Sequence, residues 1–429
     1  MKTRNEVPLE DRWNVGALYP DFVQWEAAFN RAVPNLAPSP HWPALRACQG
    51  TLSQGPAAIE KALDLTMQID RELTKLYTYA HLRHDEDIAD PECKRRYEQI
   101  LNVCHAFAQE TAWFQPELMA LPDSMLTQYL ASPLLVDYHF HLEKLIRMKK
   151  HTLSIGEERL MALAGQALQT SHKAFSAISD ADFKFGTISD SKGNEKALSH
   201  GTYGIYIRDQ DRLLRERAFK TYHHKYEMYE NTLCELLSGQ VQNHYFQARS
   251  RNYSSCLEAA LYPKNIDTSV YHALIKAVHE RLDVLHRYMQ IRKDILALNE
   301  LHLWDVYVPL TSAVDIRMTY PEAEKIVIES VAPLGLEYQE LLRKGLQDHR
   351  WVDRYENQNK RSGAYSSGCF DSMPYILMNY KRDVFSEVYT LAHEAGHSMH
   401  TWFSQNHQLF QDYHYTIFVA EVASTFNEE

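Results

Sequence analysis

Hydrophobic positions step by threes and fours over most of this chain, a pattern that predicts a predominantly helical protein. The clearest stripe runs through Tyr222, Tyr226, Tyr229, Leu233, Leu237, Val241, His244 and Ala248, with Lys225, Glu227, Glu230 and Glu235 largely off it. Buried tyrosines pack well and readily find a hydroxyl partner, so this face reads as core packing rather than as a ligand platform. Helix starts are legible elsewhere. Asp267-Thr268-Ser269 supplies caps before Val270, Pro91 opens a helix reaching at least Phe107, and Pro321 sits in the first turn of another. Helical runs with polar breaks also cover 56–84 and 155–172.

Period-two alternation is scarce and predicts only short strands. Residues 182–188 alternate and then meet a turn at Ser191-Lys192-Gly193-Asn194. Residues 304–309 are short and β-branched, and 374–380 follows a Gly/Ser-rich turn as an edge strand with Pro374 at its start. The turn near 189–201 is the expected boundary between an N-terminal helical domain, 1–200, and a second domain, 201–429. No internal repeat or low-complexity tract is visible.

Composition narrows the function classes. With 45% apolar and 24% charged residues over 429 positions, the chain can build an extensive core. Its formal net charge of -11 argues against sequence-independent phosphate binding, so no nucleic-acid partner is expected. No stretch approaches the roughly 18 apolar residues of a membrane span, and no apolar segment follows the polar start at Met1, so neither a membrane partner nor a signal peptide is expected. Six cysteines without a CxxC pair read as reduced thiols, which makes a cytoplasmic location the expectation.

Candidate chemistry is concentrated in the helical segment 385–404, which carries His393-Glu394-Ala395-Gly396-His397. Histidines four apart share a helix face and can converge on one metal ion, while Glu394 is turned aside and free to act as general base. Zinc would acidify a water to a pKa of about 7, and the carboxylate would take its proton during attack on a carbonyl. In a chain with 22 histidines the motif needs a third ligand. Phe403, Thr416 and Ile417 occupy the positions where other HExxH patterns carry theirs, and none can ligate. Glu421 is the first glutamate downstream, set among apolar residues where a buried carboxylate needs a partner. Glu428, seven residues on and on the same face, is the alternative ligand or a carboxylate orienting His393 or His397. His400 reads as a packed histidine, and His407 and His414 as surface residues. Zinc suits the His₂Glu set, although manganese or cobalt could occupy it.

The segments 391–400 and 418–428, with the Gly-rich turn 362–368, the strand 374–380 and the start Arg12-Trp13-Asn14-Val15-Gly16-Ala17-Leu18-Tyr19-Pro20, together resemble the oligoendopeptidase F group of thimet-oligopeptidase-like zinc peptidases. The resemblance implies a mostly α protein, a large helical bowl with a deep substrate channel and a few short β-strands beside the HExxH helix. It implies one Zn²⁺ held by His393, His397 and Glu421, with Glu394 as base. It further implies that 374–380 pairs with the main chain of short, unstructured oligopeptide substrates. Members of the group continue past the glutamate ligand and draw oxyanion donors from that later region. The resemblance therefore implies either a fragment of a longer endopeptidase or a weakly active, or inactive, zinc- or peptide-binding remnant. A helical scaffold with an accidental HExxH is the remaining reading.

Overall fold

The computed structural model describes residues 2–33, 40–311, 317–382 and 384–429. The chain is mostly α, with five short strands among the described residues. It forms two compact units, Met1–Lys149 with Asp315–Glu429, and Lys150–Val314. These units do not follow the expected division at residue 200, which falls inside the second of them.

The first unit is built on the long helix Pro56–Glu86, against which packs Pro91–Thr111, a helix that opens at Pro91 as expected. Asp90 caps the latter by accepting from Glu92 and Cys93 N–H groups. Trp25, Phe29, Leu63, Leu73, Leu76 and Leu82 are fully buried around them. A second core, containing Tyr320, Val327, Trp351, Ile376, Leu391 and Met399, lies under the helix Ser386–His407. The helix Tyr320–Ser330 that borders this core starts on the expected Pro321, with Thr319 and Glu322 forming a capping box.

An ionic knot fixes the sheet of this unit. The buried Asp353 carboxylate takes Arg4 at 2.5 and 2.9 Å and Lys360 at 2.6 Å. The same Arg4 reaches Glu86 at 2.8 Å, and Trp13 Nε1 donates to Glu86 at 2.7 Å. The Lys360 ammonium also donates to the Met378 carbonyl at 2.6 Å. One buried lysine thus ties two parallel strands together.

Strands β1 (Thr187–Ser189) and β2 (Glu195–Ala197) form an antiparallel hairpin in the second unit. Strands β3 (Val352–Asp353), β4 (Tyr365–Ser367) and β5 (Tyr375–Leu377) form a sheet in the first, in the order β3-β5-β4. β5 runs parallel to β3 and antiparallel to β4. The segment 374–380 is therefore an interior strand rather than an edge. All three β5 residues are buried, and its hydrogen-bonding groups are used on both sides. The outer strands are β3 and β4, and β4 is reached through a turn in which Gly363 adopts φ +85°, a conformation that glycine alone takes without strain.

Other sequence expectations are modified in the second unit. The stripe 222–248 is split between helices Arg212–Glu227 and Glu230–Ser250. Tyr222 and Tyr226 pack on Phe185 and Phe183 at 4.8 and 4.9 Å, as core residues should, but Leu237 and Val241 are exposed. The run 155–172 divides at Gln169 into two helices. Residues 304–309 form no strand. Asp305 is fully buried, and its carboxylate accepts from Arg215, Arg212 and the His302 N–H, which pulls the chain into a tight turn at Leu303–Asp305. The hairpin strand is shorter than 182–188 because Phe183 and Phe185 pack as core ahead of it. The helix Thr268–His279 starts where predicted, with Asp267 accepting from Ser269 N–H.

Candidate metal centre

Two helices of the first unit build the site. The histidine helix, Ser386–His407, buries Val388, Leu391, Ala395 and Met399 and leaves His393 and His397 on a half-buried face. The glutamate helix, Ile417–Glu428, lies against it with its small residues inward, Ala420 and Ser424 being buried. Gly396 permits this approach. A Cβ there would stand 2.5 Å from the Ala423 carbonyl oxygen and 2.7 Å from Ser424 Cα. The far end is clamped by buried Asn427, which accepts from Tyr338 at 2.9 Å and donates to the Ala392 carbonyl at 3.4 Å.

This packing brings the predicted residues together. Glu421 Oε2 lies 3.4 Å from His393 Nε2 and 3.4 Å from His397 Nε2. The three donor atoms sit within 4.8 Å of one another and are the one such group among the described residues. In a tetrahedral zinc site with bonds of about 2.0–2.1 Å, ligand atoms stand about 3.3–3.4 Å apart. The donor chemistry also fits a cation. His393 Nδ1 faces the Glu428 carboxylate at 2.6 Å, and the Ala420 main-chain carbonyl lies beside the His397 ring. The Glu428 carboxylate is an acceptor, so in a neutral His393 imidazole the Nδ1 carries the hydrogen and the Nε2 lone pair points at Glu421. Three lone-pair donors facing one point are complementary to a positive ion.

Glu421 differs from expectation in one respect. Its side chain is 49% exposed rather than buried, as are its apolar neighbours Phe418, Val422 and Phe426. The helix packs by its small face, so the larger residues point outward. The carboxylate is held instead by Ser424, whose hydroxyl donates to Oε2 at 2.8 Å.

Glu394 is buried, with the Ser366 backbone of β4 close to its carboxylate. Burial pushes its carboxyl above the usual range and the nearby Glu421 charge adds to this, while His393 and a hydrogen bond from the Ser366 N–H oppose it. The Ser366 and Ser398 hydroxyls lie 2.8 Å apart and join β4 to the histidine helix. Burial lowers the His397 imidazole, against the pull of Glu421. His400 is a packed residue, stacked on Tyr415 at 3.6 Å, and His407 and His414 are exposed, as expected. The contributions of Ser366, Ser398, Ser424 and the Ala420 carbonyl carry no sequence signal beyond small residues near the motif.

Two imidazoles one turn apart, a carboxylate from a second helix and a buried glutamate alongside have the form used by HExxH metallopeptidases. The sequence matches the profile of peptidase family M3 over residues 205–429 and that of oligopeptidase F over 117–185. It is 37% identical to oligopeptidase PepF of Bacillus subtilis, over 99% of this chain and 62% of that protein. It is 33% identical to an oligoendopeptidase F homolog of Borreliella burgdorferi, over 100% of this chain and 71% of that protein. Among solved structures, oligoendopeptidase-F of Enterococcus faecium is similar with a TM-score of 0.63 at 29% identity, over 95% of this chain and 65% of that one. A candidate peptidase from Chlamydophila abortus has a TM-score of 0.88 at 42% identity, over 100% of this chain and 71% of that one. The chain belongs to peptidase family M3, in its oligoendopeptidase F branch. It spans 62% of the length of the Bacillus subtilis relative. Family membership implies a metal, and the His393, His397 and Glu421 cluster is a place for it. No helix among the described residues is long and apolar enough to cross a membrane.

Proposed function

We propose that this chain is the metal-binding body of a zinc endopeptidase acting on short, unstructured oligopeptides, with His393, His397 and Glu421 as ligands and Glu394 as general base. The observation that carries this reading is the convergence of the two Nε2 atoms on Glu421 Oε2 at 3.4 Å, with buried Glu394 next in sequence to one of them. Bound zinc supplies Lewis acidity, which polarises a carbonyl and acidifies water.

The chain's own residues supply the rest. Glu394 receives the proton of the attacking water at its carboxylate. Its burial lifts its basicity toward the working range of a general base, against the opposing effect of the Ser366 backbone. Extended substrate main chain lies along β4, the outer strand beside Glu394, since β5 has no free edge. Recognition through main chain reads backbone rather than side chains, which favours broad specificity. The six free thiols suit a reducing compartment such as the cytoplasm.

Two measurements test this. Elemental analysis of the purified chain is expected to find about one zinc per chain, and its absence removes the metal reading. A quenched-fluorescence oligopeptide assay then compares the parent with Glu394→Gln. Cleavage by the parent alone supports the endopeptidase. Equal background in both, with zinc bound, leaves a metal-binding remnant without turnover.

A further inference from the structure

Glu428 is outside the ligand set, yet its carboxylate stands only 2.6 Å from His393 Nδ1. It follows Glu421 by seven residues, two helical turns, so both carboxylates project from the same face of one helix. They bracket a single ring, Glu421 at Nε2 and Glu428 at Nδ1. We propose that Glu428 is a positioning residue that sets the tautomer and ring orientation of His393. This inference rests on the metal reading above.

The two histidines are held differently. The His397 ring has a main-chain carbonyl beside it, that of Ala420, which the helix itself places. The outer nitrogen of His393 depends on a side chain at the end of the same helix, and its ring is the more exposed of the two, 29% against 18%. A carboxylate can only accept, so it selects the Nδ1–H form and leaves the Nε2 lone pair toward Glu421. Without that acceptor, rotation about the ring's last torsion and the other tautomer both become accessible. Each turns a donor away from the cluster. Glu428 is itself anchored by the preceding residue, buried Asn427, bound to Tyr338 and Ala392.

The experiment is a zinc titration against a competing chelator on the full chain, with thermal unfolding of the metal-free proteins as the check on folding. Glu428→Ala is expected to weaken zinc binding by about 10–100-fold. Glu428→Gln keeps an oxygen acceptor for Nδ1–H, and is expected to recover part of the loss. Equal affinity in Glu428→Ala and the parent overturns the inference while leaving the ligand set standing. An equal fall in both variants also overturns it, because acceptor geometry would then not be what matters. A parent whose zinc binding is no stronger than that of His397→Ala overturns the ligand reading, and the inference with it.

Discussion

Gly396 and Ala423 meet backbone to backbone, so closely that a Cβ on Gly396 would lie 2.5 Å from the Ala423 carbonyl oxygen. Glycine in a helix interior costs about 1 kcal/mol relative to alanine, and here that cost permits the helix contact that brings His393, His397 and Glu421 together. Moving the glutamate helix outward would widen both 3.4 Å separations at Glu421.

Gly396→Ala is therefore expected to destabilise the protein by about 1–3 kcal/mol through overpacking, and to weaken zinc binding. Gly165 provides the contrast, lying in the helix Ile155–Leu168 with nothing within 4 Å of its would-be Cβ. Gly165→Ala should gain up to about 1 kcal/mol from propensity alone. Urea unfolding of both variants decides the matter: if Gly396→Ala also stabilises, the close approach is not what the glycine provides.

The Asp353 knot predicts a pH dependence. Burial alone would raise this carboxyl, but the Lys360 ammonium and Arg4 guanidinium hold it below its ordinary value. A depressed carboxylate contributes stability that is complete above its unfolded pKa, about 3.9, and is lost as pH falls through the lower folded value. Asp353→Asn is expected to lose stability at pH 7 and to show a shallower acid limb than the parent. Lys360→Met, which leaves Asp353 short of its ammonium partner, should cost about 3–5 kcal/mol at pH 7. Unfolding midpoints measured from pH 7 down to pH 3 would show this. Parallel acid limbs in parent and Asp353→Asn would count against the knot.

How much of this was readable in advance depended on distance along the chain. His393, Glu394 and His397 were legible because a four-residue helical spacing is local physics. Glu421 was reached by eliminating Phe403, Thr416 and Ile417 and by family resemblance. The burial that argued for it was mistaken, since Ser424 rather than an apolar surround holds its side chain. The orienting contacts of Ser366, Ala420 and Glu428 arise where separate elements meet, and periodicity has no access to them. Residues 304–309 misled for the same reason. β-Branched alternation favours a strand, but a buried Asp305 between two arginines overrides it. Likewise the interior place of 374–380 depends on Val352 and Asp353, two residues too few to announce a strand.

That override gives a prediction for the second unit. Asp305 is fully buried and accepts from Arg215 at 2.9 Å and Arg212 at 2.9 Å, and the Arg215 side chain is only 4% exposed. Asp305→Ala strands a buried guanidinium, which typically costs about 3–5 kcal/mol. Hydrogen exchange should accelerate in the helix Arg212–Glu227 that carries both arginines. Exchange there as slow as in the parent would show that other contacts hold this turn.

Ser424 offers the most direct separation of Glu421 placement from folding. Its hydroxyl donates to Glu421 Oε2 at 2.8 Å, and the glutamate side chain is otherwise about half exposed and free to change rotamer. A hydrogen bond to a charged group contributes about 1.5–3 kcal/mol, and about 1.4 kcal/mol corresponds to a tenfold change in affinity. Ser424→Ala is thus expected to weaken zinc binding by about tenfold or more, while changing the unfolding midpoint of the metal-free protein little, because alanine fits the buried site without new atoms. Thr425→Ala is the matched control, since the Thr425 hydroxyl bonds the Glu421 main-chain carbonyl and not its carboxylate. A chelator competition run on both variants separates the two roles. If the two lose affinity equally, the glutamate helix as a whole places Glu421, and the Ser424 hydroxyl has no special part in it.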